Sequence, residues 1–280
     1  MARLTNSLLR SRAFRKFVST LENKLPPVRE WHRFQYQVHF DQHTSKARLF
    51  SGVYKNTSEA MAAIPAGALV GQDNEEIAAR HASETQRLWP SDYPVLFWLK
   101  PLLHENSRVF DFGGAAGISF YSFEKYLHYP SGSSWIVCDV PEVAAKGEEL
   151  ARTRGAVGLS FTTEFGRAND ADVLFASGSL QFIEEPLSSL ISKLEKQPRH
   201  LLINRTPFCD TPDFVTLHNT GPTICPYRIR NLSDFIAGLE GVGYSLLDSW
   251  QTPDLSCYIP FHPERTVEAY RGMYFTQRKV

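Results

Sequence analysis

The sequence lacks several features that would place it in a special class. No apolar run reaches about 18 residues, the length that a membrane-spanning helix requires. Only four cysteines occur, without a C-x-x-C pair, which predicts free thiols in a reducing cytoplasm. His39 and His43 have helical spacing, but no carboxylate or cysteine set completes a zinc pattern, so no metal is expected.

The composition adds further limits. The 30 basic and 30 acidic residues cancel, so the overall charge gives no indication of nucleic-acid binding. The apolar fraction of 42% and the charged fraction of 21% are typical of a globular protein. A chain of 280 residues can hold one large domain, or one domain with a cap.

The segment 109–120 is the most informative part of the sequence. Its pattern predicts a buried strand, a turn with three glycines and a helix. Such a unit presents backbone N–H groups to a ligand where the helix begins. Gly113 and Gly114 can adopt a positive φ and admit a ligand to the backbone, and Gly117 lets the helix pack close to the strand.

Asp111 indicates which ligand this turn binds. Dinucleotide sites read G-x-G-x-x-G, and an acid just before the first glycine would repel the pyrophosphate. Here the order is D-x-G-G-x-x-G, which suits a ligand with a positive charge. The pattern resembles motif I of the class I S-adenosylmethionine-dependent methyltransferases, whose cofactor carries an ammonium and a sulfonium. An ordinary glycine-rich turn and a different nucleotide site are the alternatives.

Asp139 follows the second predicted strand, one βαβ unit after Asp111. A carboxylate at that edge can accept hydrogen bonds from both ribose hydroxyls of a bound adenosine. The alternative role is that of a helix-capping aspartate. The resemblance implies further cofactor contacts at Val140, Thr162, Ser177 and Gly178.

Three polar residues are expected on the acceptor side. In these methyltransferases the position of Gln181 often faces the transferred methyl group. Asn204 and Arg205 end the fifth predicted strand, and ligands in open α/β sheets bind at the carboxyl ends of the strands. As alternatives, Arg205 pairs with an acid and Asn204 closes a turn.

Transfer to a hydroxyl group also requires a group that removes its proton. The long connection 207–231 contains His218, whose type of side chain has a reference pKa of about 6.5. Tyr227 is the second catalytic candidate. A structural role for a single loop histidine is the alternative.

The resemblance implies an α/β fold: a Rossmann-like, seven-stranded, mostly parallel sheet with an antiparallel last strand and an N-terminal helical cap. The segments 111–114, 176–181, 202–207 and 226–229 are similar to a family of bacterial methyltransferases often associated with surface-polysaccharide genes. This similarity, which spans residues 50–278, implies a sugar-like acceptor.

Three regions are predicted: a basic amphipathic arm at 1–30, a helical cap at 31–106 and a methyltransferase core at 107–280. The helix within this arm is expected to end at Pro26-Pro27. It suits contact with an anionic membrane surface through residues 1–25; the alternatives are packing on its own domain, or on a second copy in a homodimer.

Within the cap, helices are expected to start near Thr57 and to cover 72–88 and 94–103, with a turn at 50–54.

The function that the sequence favours is O-methylation of a small-molecule or sugar-like acceptor, in the cytoplasm or at the inner face of the membrane. The alternative is a catalytically inactive protein that binds S-adenosylmethionine as a partner in cell-envelope assembly. A dehydrogenase is a distant third interpretation.

Overall fold

The computed structural model describes residues 26–42, 48–83 and 88–278. Its α-helices are α1 (Pro26–Asp41), α2 (Thr57–Ala62), α3 (Glu75–Ser83), α4 (Tyr93–Leu99), α5 (Ile118–Phe123), α6 (Pro141–Arg154), α7 (Leu187–Ser192) and α8 (Leu232–Gly241). Its strands are β1 (Leu49–Tyr54), β2 (Arg108–Phe112), β3 (Ser134–Cys138), β4 (Leu159–Thr162), β5 (Val173–Ser177), β6 (His200–Thr206), β7 (Phe208–Cys209), β8 (Phe214–Asn219), β9 (Ile224–Asn231), β10 (Tyr244–Thr252) and β11 (Tyr270–Gln277).

The main sheet has seven strands in the order β10-β11-β6-β5-β2-β3-β4. Strands β4, β3, β2, β5 and β6 pair in parallel, whereas β11 runs antiparallel to both of its neighbours. The predicted mostly parallel sheet with an antiparallel last strand is therefore confirmed. The strand order reverses beside β2, and this is the kind of point at which open α/β sheets bind ligands.

Apolar residues on both faces hold this sheet in the centre of the molecule. Along β5, Leu174 belongs to one buried cluster and Phe175 to the cluster on the opposite face. Along β2, Phe110 and Val109 alternate between the same two clusters. Because successive side chains of a strand point to opposite faces, these continuous apolar runs produce a sheet that is buried on both sides.

A second sheet, in the order β1-β8-β9-β7, was not expected. The segment 50–54, predicted as a turn, lies in strand β1 and pairs with β8, with Phe50 opposite His218. The predicted connection 207–231 contains the antiparallel pair β8 and β9. Strand β1 finds its partner far along the chain, so no local pattern could indicate the pairing.

Helices form where local sequence signals indicate them, but several begin or end at other residues than expected. Helix α6 begins at Pro141, whose missing N–H suits a first helical turn. Helix α8 is capped by Asn231, whose side chain accepts a hydrogen bond from the Asp234 N–H at 3.0 Å. The helix expected after the glycine turn is short and covers Ile118–Phe123.

In the cap, the helix expected over 72–88 is described for Glu75–Ser83, and the one expected over 94–103 covers Tyr93–Leu99 before a 3-10 turn. The predicted arm helix lies almost wholly outside the described residues, and Pro26 stands at the start of α1. The proposed limits of the three regions stay predictions. No helix in the described ranges is long and apolar enough to cross a membrane.

Candidate active site

The glycine turn between β2 and α5 is held in a shape that side chains would block. Gly113 has φ +73°, and a Cβ built there would lie 2.2 Å from the Ser179 Cβ. A Cβ on Gly114 would lie 2.4 Å from the carboxylate carbon of Asp111. The positive φ expected for Gly114 is wrong, since Ala115 adopts it instead, with φ +54°. Gly114 is a glycine because of the close approach to Asp111.

Gly117 precedes α5 with φ +80°, and a Cβ there would lie 3.1 Å from the Leu159 side chain. The expected close packing between helix and sheet is therefore present at this position. Gly117 does not line the cavity described below, so its contribution to the site is limited to the backbone shape of the turn.

Asp111 lies beneath the turn and is only 1% exposed. Its Oδ2 accepts a hydrogen bond from the Trp135 Nε1–H at 3.0 Å, whereas its buried Oδ1 has no partner in the part of the chain that the structure describes. Burial raises the pKa of Asp111 to about 7. A buried carboxylate with one unpartnered oxygen is stabilised by a nearby positive charge.

Asp139, just after β3, ties two backbone segments together. Its Oδ2 accepts from the Ala115 N–H at 2.8 Å and its Oδ1 from the Val140 N–H at 2.8 Å. Burial raises its pKa to about 6, and both of these hydrogen bonds lower it. Each carboxylate oxygen has a further lone pair, so these contacts leave it able to accept hydrogen bonds from a ligand.

A cavity of about 500 Å³ opens beside the glycine turn, within the size range of small-molecule sites. The predicted residues that line it are Asp111, Gly113, Gly114, Asp139, Val140, Ser177, Gly178, Gln181, Arg205 and His218. The sheet edge thus brings together most of the residues that the sequence selected. The predicted residues that do not line it are Gly117, Thr162, Asn204 and Tyr227.

Thr162 faces its own loop. Its Oγ1 accepts a hydrogen bond from the Glu164 N–H at 3.2 Å, and its carbonyl accepts from the Asp139 N–H at 3.1 Å. Thr162 therefore helps to position Asp139.

Gln181 lies in the 3-10 turn after β5, with its Nε2–H donated to the Gly178 carbonyl at 2.6 Å. Its Oε1 is buried and accepts no hydrogen bond within the described ranges, although the Gln181 amide lies close enough to the Tyr227 hydroxyl to lower the pKa of that group. Arg230 holds this turn by donating to the Leu180 carbonyl at 2.7 Å and the Ile183 carbonyl at 2.6 Å. The arrangement presents one amide oxygen to the cavity on a fixed backbone.

Arg205 takes the alternative role of pairing with an acid, whereas the Asn204 side chain links neighbouring strands instead of closing a turn. Arg205 forms an ion pair with Asp92 at 2.5 Å and donates to the Ser91 hydroxyl at 2.9 Å, although it also lines the cavity. Asn204 is fully buried and accepts from the Trp250 Nε1–H at 3.2 Å. Its side chain therefore joins β6 to β10 rather than facing a ligand.

His218 lines the cavity from β8 and is 4% exposed. Its ring stacks on Phe50, with centroids 4.7 Å apart, and meets Tyr227 edge to face at 5.0 Å. Neither ring nitrogen has a hydrogen-bond partner among the described residues. Burial holds the pKa of His218 well below its usual value, and Arg48 and Arg80 lower it further. The imidazole is therefore neutral at neutral pH and retains an acceptor nitrogen.

Tyr227 lies behind His218 and is almost fully buried. Its hydroxyl shares a hydrogen bond with the Tyr270 hydroxyl at 2.8 Å. Burial raises the pKa of Tyr227 well above its usual value, so the phenol stays protonated at neutral pH. In this position it supports the ring of His218 and is unsuited to remove a proton.

Several cavity residues were missed by the sequence reasoning. They come from the N-terminal third and from β9: Arg48, Thr57, Gln72, Ile77, Arg80, His81, Trp89 and Arg228. Only Arg228 stands in one of the segments that carried the family resemblance, 226–229, and it was not selected there; the N-terminal residues reach the cavity only through tertiary packing. In the described ranges, no cluster of three or more His, Cys, Asp or Glu residues could hold a metal ion.

Comparison with family models and with curated proteins gives no match for this sequence. Solved structures do resemble it. A chain of the complex between the Haloferax volcanii Trm112 methyltransferase activator and the protein described as its methyltransferase aligns with a TM-score of 0.52. It is 12% identical, and the alignment covers 75% of this chain and 97% of that one. This likeness shows that the two chains share a fold.

Two further structures give lower scores. Magnesium protoporphyrin IX methyltransferase from Synechocystis PCC 6803 with bound S-adenosylhomocysteine has a TM-score of 0.48, with 14% identity over 74% of this chain and 96% of that chain. The 1,6-didemethyltoxoflavin-N1-methyltransferase of Burkholderia thailandensis has a TM-score of 0.45, with 17% identity over 68% and 79%.

Proposed function

We propose that this protein is a methyltransferase that binds S-adenosylmethionine at the glycine turn and methylates a hydroxyl group of a small-molecule or sugar-like acceptor. The observation that carries the proposal is the placement of Asp111, Asp139 and the turn around one cavity at the carboxyl edge of the parallel strands. The shared fold with a chain of a methyltransferase complex supports it.

The residues present fit this cofactor. The absence of side chains at Gly113 and Gly114 lets Ser179 and Asp111 pack against the turn, and both glycines line the cavity. Asp111 offers a negative charge and an unpartnered oxygen to the ammonium end. Asp139 has lone pairs available for ribose hydroxyls, and Val140 lines the same wall.

The cofactor supplies an activated methyl group and its own leaving group, so this chain must mainly position the acceptor. Gln181 presents its unpartnered Oε1 to the cavity from the turn after β5. His218 presents a neutral imidazole, which accepts the proton of an acceptor hydroxyl as the new O–C bond forms. Its lowered pKa keeps the imidazole unprotonated at neutral pH, so one ring nitrogen can accept that proton.

Calorimetry with S-adenosylhomocysteine tests the binding step. We expect saturable binding to the wild-type protein and a strong loss in Asp111→Asn. NADH serves as the comparison ligand, since it would bind in place of S-adenosylhomocysteine if the turn belonged to a dehydrogenase. Failure of S-adenosylhomocysteine to bind would contradict the proposal.

Transfer is tested with methyl-labelled S-adenosylmethionine and cell-envelope extracts. We expect label in an acceptor fraction with wild type and far less with Asp111→Asn. Tight cofactor binding without a labelled product across many extracts would favour the inactive binding partner instead.

A further inference from the structure

A cluster of positive charge surrounds the buried His218 at the end of the cavity formed by the second sheet. Arg48 directly precedes β1, two positions before Phe50, the residue that stacks on His218. Because alternate residues of a strand share a face, Arg48 is directed to the same side as Phe50. Both Arg48 and His218 line the cavity.

Arg80 is the second arginine near His218 and comes from a segment that is distant from it in sequence. It lies on α3 and donates a hydrogen bond to the Thr220 carbonyl at 3.1 Å, two residues after His218. It also lines the cavity. The charges that act on the His218 ring are those of Arg48 and Arg80, and both lower its pKa. The local field around its two unpartnered nitrogens is therefore positive.

Two further arginines line the cavity, and each has an acidic partner. Arg205 pairs with the buried Asp92, and Arg228 lies 3.6 Å from Glu184. Arg48 has no such ion pair with any residue in the described ranges. Guanidinium groups recognise carboxylates and phosphates through paired, charge-assisted hydrogen bonds. A buried imidazole without a protein partner needs a ligand to satisfy it.

We infer that the acceptor carries a carboxylate or phosphate group, and that Arg48 and Arg80 bind this oxyanion beside His218, whose acceptor nitrogen is kept for the hydroxyl that is methylated. The inference rests on the proposed function, because it assigns the group to the methyl acceptor. Of the acidic residues in the cavity wall, Asp111 and Asp139 stand at the glycine turn, and Glu184 lies 3.6 Å from Arg228. The cavity thus has an acidic end suited to the cationic cofactor and a basic end suited to an acidic acceptor.

The test measures binding of inorganic phosphate and of acetate to the protein saturated with S-adenosylhomocysteine, by ligand-observed NMR at constant ionic strength. Saturation with S-adenosylhomocysteine removes competition from the cofactor's own carboxylate. We expect saturable binding of at least one anion, and the preferred anion identifies the acid class. Arg48→Gln and Arg80→Gln should each weaken binding about tenfold, since each removes a charge-assisted contact.

Arg167→Gln is the matched control, because Arg167 is exposed and lies outside the cavity. It should leave anion binding unchanged. The inference is overturned if neither anion saturates, or if all three variants bind alike. It is also overturned if Arg48→Gln and Arg80→Gln weaken S-adenosylhomocysteine itself, which would assign the arginines to the cofactor. Anion binding without any S-adenosylhomocysteine binding would instead contradict the proposed function and leave the anion site standing.

Discussion

Asp111 and Trp135 are joined by a hydrogen bond of 3.0 Å between neighbouring parallel strands, beneath the glycine turn. The indole N–H holds one carboxylate oxygen in place, and the other oxygen is left for a ligand. This geometry fixes an acidic group at the point where the cofactor's positive charge is expected.

Replacing Asp111 by Asn should weaken S-adenosylhomocysteine binding by about tenfold or more, because a charge-assisted contact is lost. Folding should not suffer, since Asn still accepts from Trp135. The folded pKa of Asp111 is about 7, above the unfolded value, so ionisation destabilises the fold as pH rises. The melting temperature of the variant above pH 7 should equal or exceed that of wild type.

Asp248→Asn is a matched control for this variant. Asp248 also accepts from an indole N–H, that of Trp98 at 2.7 Å, but it does not line the cavity. Calorimetry should show unchanged S-adenosylhomocysteine affinity. Equal loss in both variants would mean that the Asp111 charge has no special role.

Cofactor binding should strengthen as pH rises from about 5 to about 8, because an ionised Asp111 attracts the ammonium group and an ionised Asp139 accepts stronger hydrogen bonds from the ribose hydroxyls. Asp139 has a pKa of about 6 and Asp111 of about 7, so both are largely protonated at the lower limit. A bound cation lowers these pKa values, and protons should be released on binding near pH 7. Calorimetry in buffers of different ionisation enthalpy measures this release. Affinity that is flat over this range would argue against both groups.

Gly114→Ala should abolish tight cofactor binding. The new Cβ would lie 2.4 Å from the Asp111 carboxylate, so the turn or the acid must move. A shift of the backbone misaligns the N–H groups, and we expect a loss of about tenfold or more in S-adenosylhomocysteine affinity. Gly241→Ala is the control, because a Cβ there meets nothing within 4 Å. Unchanged binding by Gly114→Ala would show that the turn does not hold the ligand.

His218→Phe should lower methyl transfer by about a hundredfold, the usual contribution of a general base. Phe retains the stacking on Phe50 and removes both nitrogens. S-adenosylhomocysteine affinity should stay as in wild type, which separates a catalytic defect from a folding defect. Labelled transfer to the acceptor fraction gives the rate. A variant that is as fast as wild type would remove His218 from the mechanism.

The ion pair between Arg205 and Asp92 should be important for stability. The two side chains are 20% and 5% exposed, and Asp92→Ala leaves a buried guanidinium without its partner. We expect a loss of about 3 kcal/mol or more in the free energy of unfolding. Asp170→Ala removes an exposed pair with Lys196 and should cost less than about 1 kcal/mol. Urea unfolding of both variants provides the comparison.

The amino-acid sequence by itself determined the glycine turn and the strands around it. Asp111 before the glycines, the apolar run of β5 and Pro141 at the start of α6 are local signals. They act within one strand, one turn or one helical start, so they can be recognised without knowing what packs against them. For this reason Asp111 and Asp139 could be identified from the sequence as candidate ligand-binding residues.

The tertiary structure alone decided the other half of the cavity. Pairing of β1 with β8 joins residues far apart in sequence, and it places Arg48 beside His218. The same packing turns Asn204 and Tyr227 inward, where hydrogen bonds to Trp250 and Tyr270 satisfy them. A side chain's role depends on which groups surround it after folding, and the packing of distant segments supplies those groups. The basic end of the cavity therefore exists only in the folded chain and has no local signal in the sequence.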